Sequence, residues 1–362
     1  MASLILAATA AMGGSLFAQV SSAPPKPEDY VPKQLLGLVH APEVHRELNL
    51  SPGQVKNLEM LFEKVDGDWF RARIYPADTQ NKRIAKVEAA VRQWFKLNAS
   101  AAQNKRLSQL EHRAQGIRML LSPQVRQTLK LTPGQVDQLV ELAKASNTAT
   151  EKLQKATMKN EVTAADKKAV LDAAQAEQGA PQSVLEPQQL QMLGKIIGES
   201  FDTTKLKRIY PLAPELVDAQ EWINSAGVSL REMRGKVVLV HFYAFQCHNC
   251  HANFGHYQRW HEKYGDDVVV LGIQTPETPS ERDPQLVRNA AKERKLDFPI
   301  LIDVESKNWK AWSNTMWPTV YVIDKKGYLR HWWQGELNWN GATGDQTIEE
   351  LVADLLQEDA GV

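Results

Sequence analysis

The sequence predicts two domains of different class: an all-α domain over residues 34–205, then an α/β domain with a mixed central sheet over residues 221–358. Three observations predict this. Apolar residues first recur at helical steps and later gather into short continuous runs, and the change falls at a proline-bearing segment, Tyr210-Pro-Leu-Ala-Pro214. In addition, eight of the ten tryptophans follow residue 220, so the two halves draw on different cores.

The first 23 residues read as a signal peptide, with an apolar run from Leu4 to Ala18 and small-residue cleavage options near Ala18 or Ala23. The run is short for a membrane span, which needs roughly 20 apolar residues. No charge precedes residue 26, where a leader usually carries a basic start. Cleavage would leave a soluble exported protein, and retention would leave a membrane tether. Residues 24–33, with four of their positions proline, have linker composition. Lys plus Arg and Asp plus Glu are equal at 43 each, so no overall field favours a nucleic-acid partner or an anionic membrane surface.

From residue 34 the chain is rich in Ala, Gln, Lys, Leu and Glu, with Val55, Leu58, Leu61 and Phe62 at helical spacing. Within it, Pro42–Val55 aligns with Pro123–Val136. The shared grammar is a leucine, a Ser or Thr N-cap, a proline at the first helical position and then a glutamine, as in Leu50-Ser-Pro-Gly-Gln54 and Leu131-Thr-Pro-Gly-Gln135. Leu185-Glu-Pro-Gln-Gln-Leu190 is a weaker echo. Duplication explains so many aligned positions better than helix capping alone. The grammar resembles that of the Spy and CpxP family of helical periplasmic proteins, which bind unfolded chains. Nothing in this half marks a chemical site.

Residues 206–220 form a linker leading into the second domain. There, Val237–Tyr243 is a continuous apolar run suited to a buried strand, and a helix follows to about Lys263. Further strands are predicted over residues 268–273, 299–302, 319–323 and 328–333, with helices near 284–294, 306–313 and 347–356.

Cys247 and Cys250 are the only cysteines and sit where the buried strand gives way to the helix. At a helix start, unpaired N–H groups and the positive end of the macrodipole favour a thiolate. Cys247 reads as the nucleophile and Cys250 as the resolving thiol of a redox pair. A structural disulfide would constrain little chain entropy across two residues. A zinc site lacks a second ligand pair, so no metal is expected. Cys247-His-Asn-Cys-His251 also fits the haem-attachment pattern, but the strand before it and the helix after it favour redox exchange. No cofactor is required.

Several separated motifs carry a second resemblance. Trp222-Ile-Asn-Ser, Leu230–Val240, Cys247-x-x-Cys250, Thr275-Pro-Glu277, Trp317-Pro-Thr-Val-Tyr-Val-Ile-Asp324 and Gly335-Glu336 resemble the TlpA and ResA class of exported thiol-disulfide oxidoreductases, nearest to the DipZ-type domain. The resemblance covers residues 212–356 and implies a thioredoxin-like fold. It also implies attack by Cys247, resolution by Cys250, a cis-proline at Pro318, and a backbone at Trp317 and Pro318 that binds an extended substrate. The expected partners are protein disulfides and an unidentified electron donor. Where relatives carry an acidic proton acceptor six positions before the first cysteine, this chain has His241, a candidate acceptor or a packed core residue.

Overall fold

The computed structural model describes residues 25–159, 161–203, 206 and 209–359, and the leader expected at residues 1–23 lies outside them. Among the described residues, ten α-helices precede the first strand: α1 Leu35–Val39, α2 Pro42–Glu47, α3 Pro52–Ala72, α4 Ala77–Asn98, α5 Ala101–Gln115, α6 Pro123–Leu129, α7 Pro133–Met158, α8 Ala164–Gln178, α9 Ala180–Val184 and α10 Pro187–Ile197. The chain divides into two compact units. One holds the residues up to Lys56 together with Val91–Ile209, and the other holds Asn57–Ala90 together with the residues from Tyr210 onward.

The helical unit is built on the capping grammar of the sequence. Thr132 and Gln135 exchange side-chain-to-backbone bonds at the start of α7, and Ser51 and Gln54 do the same at the start of α3. Each glutamine has a further partner. Gln54 Nε2 donates to the Asn98 carbonyl (2.7 Å) and to Gln103 Oε1 (3.1 Å), while Gln135 Nε2 donates to the Val184 carbonyl (2.8 Å) and to Gln189 Oε1 (2.8 Å). Gln103 and Gln189 themselves close capping boxes with Ser100 and Glu186. Both aligned segments therefore tie two helix starts together through paired amides. Leu120, Leu129, Leu139 and Ala180 pack in the core beside them. The stretch expected as a linker at 24–33 is partly built into this unit. Pro27–Tyr30 forms a 3₁₀ turn, Glu28 pairs with Arg126 at 2.9 Å, and Tyr30 and Val31 pack on the core.

The second unit carries a six-stranded mixed sheet in the order β1-β4-β3-β2-β5-β6. Its strands are β1 Trp222–Ile223, β2 Val237–Tyr243, β3 Val268–Gln274, β4 Ile300–Ile302, β5 Thr319–Ile323 and β6 Leu329–Gln334. The β2, β3 and β4 strands run parallel, while β5 is antiparallel to β2, and β6 to β5. The short β1 escaped the sequence because two residues carry no periodicity; its pairing with β4 defines it. Helices α11 His248–Tyr264, α12 Pro284–Glu293, α13 Lys307–Ala311 and α14 Gly344–Gln357 complete the unit.

All seven residues of β2 are buried, as expected of a strand covered on both faces. Val237, Leu239 and Tyr243 pack with Phe254, Tyr257 and Trp260 of α11 and with Ile348 and Val352 of α14. Val238, Val240 and Phe242 face Trp312, Tyr321 and Phe70. Phe70 belongs to α3, so the division differs from the expected boundary between 34–205 and 221–358. The physical reason is burial: Phe70 lies edge-on to Tyr321 (5.9 Å) and Trp332 (6.0 Å), with the Arg73 guanidinium 3.5 Å above it. Of the expected linker at 206–220, the part from Tyr210 onward also joins this unit, since Leu212 bridges Tyr328 and donates its N–H to Asp66 (3.1 Å).

Candidate functional site

Cys247 is the N-cap of α11, with Cys250 in the first turn, directly after the buried strand β2. Both are free thiols with sulfurs 2.6 Å apart; Cys247 is half-buried and Cys250 fully buried. Their environments drive them in opposite directions. The Cys250 thiol and the N–H groups of Cys250 and Asn249 hold the Cys247 thiol below its ordinary pKa. Burial, reinforced by the neighbouring Cys247, pushes Cys250 well above it. The arrangement provides one accessible thiol that ionises more readily than usual and one buried thiol held protonated.

Brief iodoacetamide treatment of the reduced protein near neutral pH should therefore label Cys247 and spare Cys250. The rate should follow the thiolate fraction and reach half its plateau at a lower pH than for a free thiol. Peptide mapping reads the site, and preferential labelling of Cys250 would reverse the assignment.

The turn ahead of Cys247 is held by a residue the sequence reading did not single out. Glu281 is fully buried, and its carboxylate accepts the N–H groups of Gln246 (2.7 Å), Glu277 (2.8 Å) and Thr278 (2.7 Å). The hydroxyls of Thr278 and Ser280 donate to Gln246 Oε1. Thr278-Pro-Ser-Glu281 is itself a capping box, the signal that could have revealed it.

The Trp317–Pro318 peptide bond is cis. Pro318 directly precedes β5, whose Thr319 pairs with Phe242, so it emerges at the end of β2 that leads to the cysteines. The Pro318 carbonyl accepts the N–H of Gly335 at 2.8 Å, and the Trp317 ring stacks on Trp309 at 4.0 Å. Asn253, one turn beyond Cys250, donates to the Gly335 carbonyl (3.1 Å) and accepts the Leu337 N–H (2.9 Å).

His241 lies deeper, fully buried and stacked on Tyr257 at 4.0 Å. Among the described residues neither ring nitrogen has a hydrogen-bond partner, and burial pushes its pKa down to about 3, so the ring is neutral. His251 Nε2 donates to the Phe245 carbonyl at 2.7 Å, which commits the nitrogen that an iron ligand would need.

Residues 213–332 match the AhpC/TSA family, and the C-terminal region is a thioredoxin-like domain of that kind. In sequence it is similar to the protein DipZ of Mycobacterium tuberculosis, 35% identical over 150 residues, covering 40% of this chain and 21% of the relative. The chain thus spans about a fifth of the length of that relative. It is also similar to the thiol-disulfide oxidoreductase YkuV of Bacillus subtilis, 28% identical over 145 residues, covering 40% of this chain and 94% of the relative. Among solved structures, a thiol-disulfide isomerase from Corynebacterium glutamicum is 25% identical, with a TM-score of 0.37, covering 41% of this chain and 98% of its own.

Proposed function

We propose that the protein is an exported thiol-disulfide oxidoreductase that reduces disulfides of client proteins. The observation that carries this reading is the contrast between the two thiols at the start of α11, one activated and the other held protonated. The Cys247 thiolate attacks one sulfur of the client disulfide, forming a mixed disulfide and releasing a client thiolate. Cys250 then loses its proton and attacks Cys247 Sγ, freeing the second client sulfur and leaving a Cys247–Cys250 disulfide. Two electrons pass to the client, and a separate donor restores the dithiol. Trp317 and Pro318 are the proposed backbone platform for the extended client.

The depressed basicity of His241 supports a packing role over storage of the Cys250 proton. Export rests on the leader expected at residues 1–23. No helix among the described residues is long and apolar enough to cross a membrane.

Peroxidase chemistry of the peroxiredoxin type is the enzymatic alternative. The residues before Cys247, Tyr243-Ala-Phe-Gln246, lack the Pro and the Thr or Ser that such sites use, which supports the exchange reading. A partner-binding role for the helices would add to exchange rather than replace it.

Equilibration with glutathione tests the direction of electron flow. A reduction potential near about −270 mV fits a reductant, whereas one near about −120 mV would make the protein an oxidant. Failure to exchange with glutathione at all would end the proposal.

A further inference from the structure

A groove of about 330 Å³ opens beside the cysteine pair, lined by Asn249, Trp333, Gly335, Glu336 and Trp339 among others. Asn249 lies between the two cysteines in the sequence, so the groove adjoins the reacting thiols. Its far wall is held in place from two sides. The Gly335 N–H donates to the Pro318 carbonyl, and the Gly335 carbonyl accepts from Asn253 of α11.

Two of the lining residues are tryptophans, and Trp333 is held in place. Trp333 donates its indole N–H to the Glu336 carbonyl (3.2 Å), and Gly344 packs so tightly on the ring that a Cβ there would lie 2.6 Å from it. Trp339 is 65% exposed on a 3₁₀ turn, a large apolar surface left to water. Glu336 is the one ionisable residue of the lining, and among the described residues it has no cationic partner. Indole faces and an unpaired carboxylate together complement one side-chain chemistry, a guanidinium or ammonium on a long apolar stem.

The geometry points to this groove as a specificity subsite for an arginine or lysine that flanks the client's disulfide cysteine. The inference rests on the exchange reading and adds to it the class of client. A cation seated between Glu336 and Trp339 would hold the client chain beside Cys247 while the disulfide is attacked. An acidic flanking residue would face the carboxylate at short range and be disfavoured.

The test uses the reduced full-length protein in single turnover. Two disulfide-bonded peptides differ only in carrying Arg or Glu beside the cysteine, and their second-order rate constants are compared. The wild-type protein should favour the Arg peptide by about tenfold, the scale of one exposed cation–π contact combined with one exposed ion pair. Glu336→Gln should bring the ratio near unity, Glu336→Lys should invert it, and Trp339→Ala should lower it. A wild-type ratio near unity, or one unchanged in Glu336→Gln, overturns the subsite.

Reaction of the wild-type protein with an uncharged small disulfide tests the exchange reading separately. Binding of the two peptides with serine in place of cysteine, followed by tryptophan fluorescence, tests the groove without chemistry. Tighter binding of the Arg peptide that Glu336→Gln abolishes supports the subsite even if exchange fails. Equal binding of both peptides overturns it.

Discussion

Cys247→Ser is expected to abolish reduction of protein disulfides, with a loss on the order of 10³-fold or more, because a hydroxyl at this position is no nucleophile near neutral pH. Cys250→Ser should behave differently. Its Cys247 remains at the helix start and attacks normally, but the mixed disulfide then has no internal thiol to resolve it. A client carrying a disulfide should become covalently trapped, visible as a reductant-sensitive band on a non-reducing gel. Trapping by Cys247→Ser instead would exchange the roles of the two cysteines. Equal activity of both variants with the wild type would remove the pair from the chemistry. The asymmetry follows from burial: Cys250 is enclosed by the α11 face of the sheet, whereas Cys247 is only half-buried.

Phe70→Ala should destabilise the thioredoxin-like unit by about 3–5 kcal/mol, the range for emptying a buried aromatic site. Phe70 is 4% exposed and fills the space between Tyr321 and Trp332. It sits among groups that close the end of α13. Arg71 Nη1 donates to the Ala311 carbonyl at 2.8 Å, and Arg73 Nη2 reaches the Trp312 carbonyl at 3.5 Å. Cations there satisfy carbonyls that a helix C-terminus leaves free. Urea denaturation followed by tryptophan fluorescence measures the cost, and Phe70→Leu should recover much of it. A loss below about 1 kcal/mol in Phe70→Ala would mean that the α3 contact is peripheral to this core. The same packing predicts that a fragment beginning at residue 212 exposes its Tyr321 and Trp332 face and is less stable than one that retains residues 57–90.

Much of the α/β unit is legible in the sequence. The run Val237–Tyr243, the strand Thr319–Ile323 and the helix that starts at the cysteines have the expected limits or nearly so, because uninterrupted β-branched runs and turn residues act locally. The cis bond at Pro318 agrees with what the motif resemblance implies. The helix starts at Pro52 and Pro133 follow from capping chemistry contained within four residues.

Other features depend on residues far apart in the chain. No local pattern marks Phe70 as part of a sheet's core, since its helix reads like its neighbours and only the surface of β5 and β6 selects it. Glu281 looks like an ordinary capping glutamate until the fold brings Gln246 to it across the loop. The neutrality of His241 comes from enclosure by Tyr243, Tyr257 and Phe298, which sequence spacing does not determine. The sequence alone thus determined the order of the longer elements and the placement of both cysteines at the start of α11, because propensity, capping and residue spacing are local. Tertiary structure decided which helix closes the sheet, which carboxylate holds the active turn and how each buried group titrates, because burial and desolvation arise only when distant segments exclude water together.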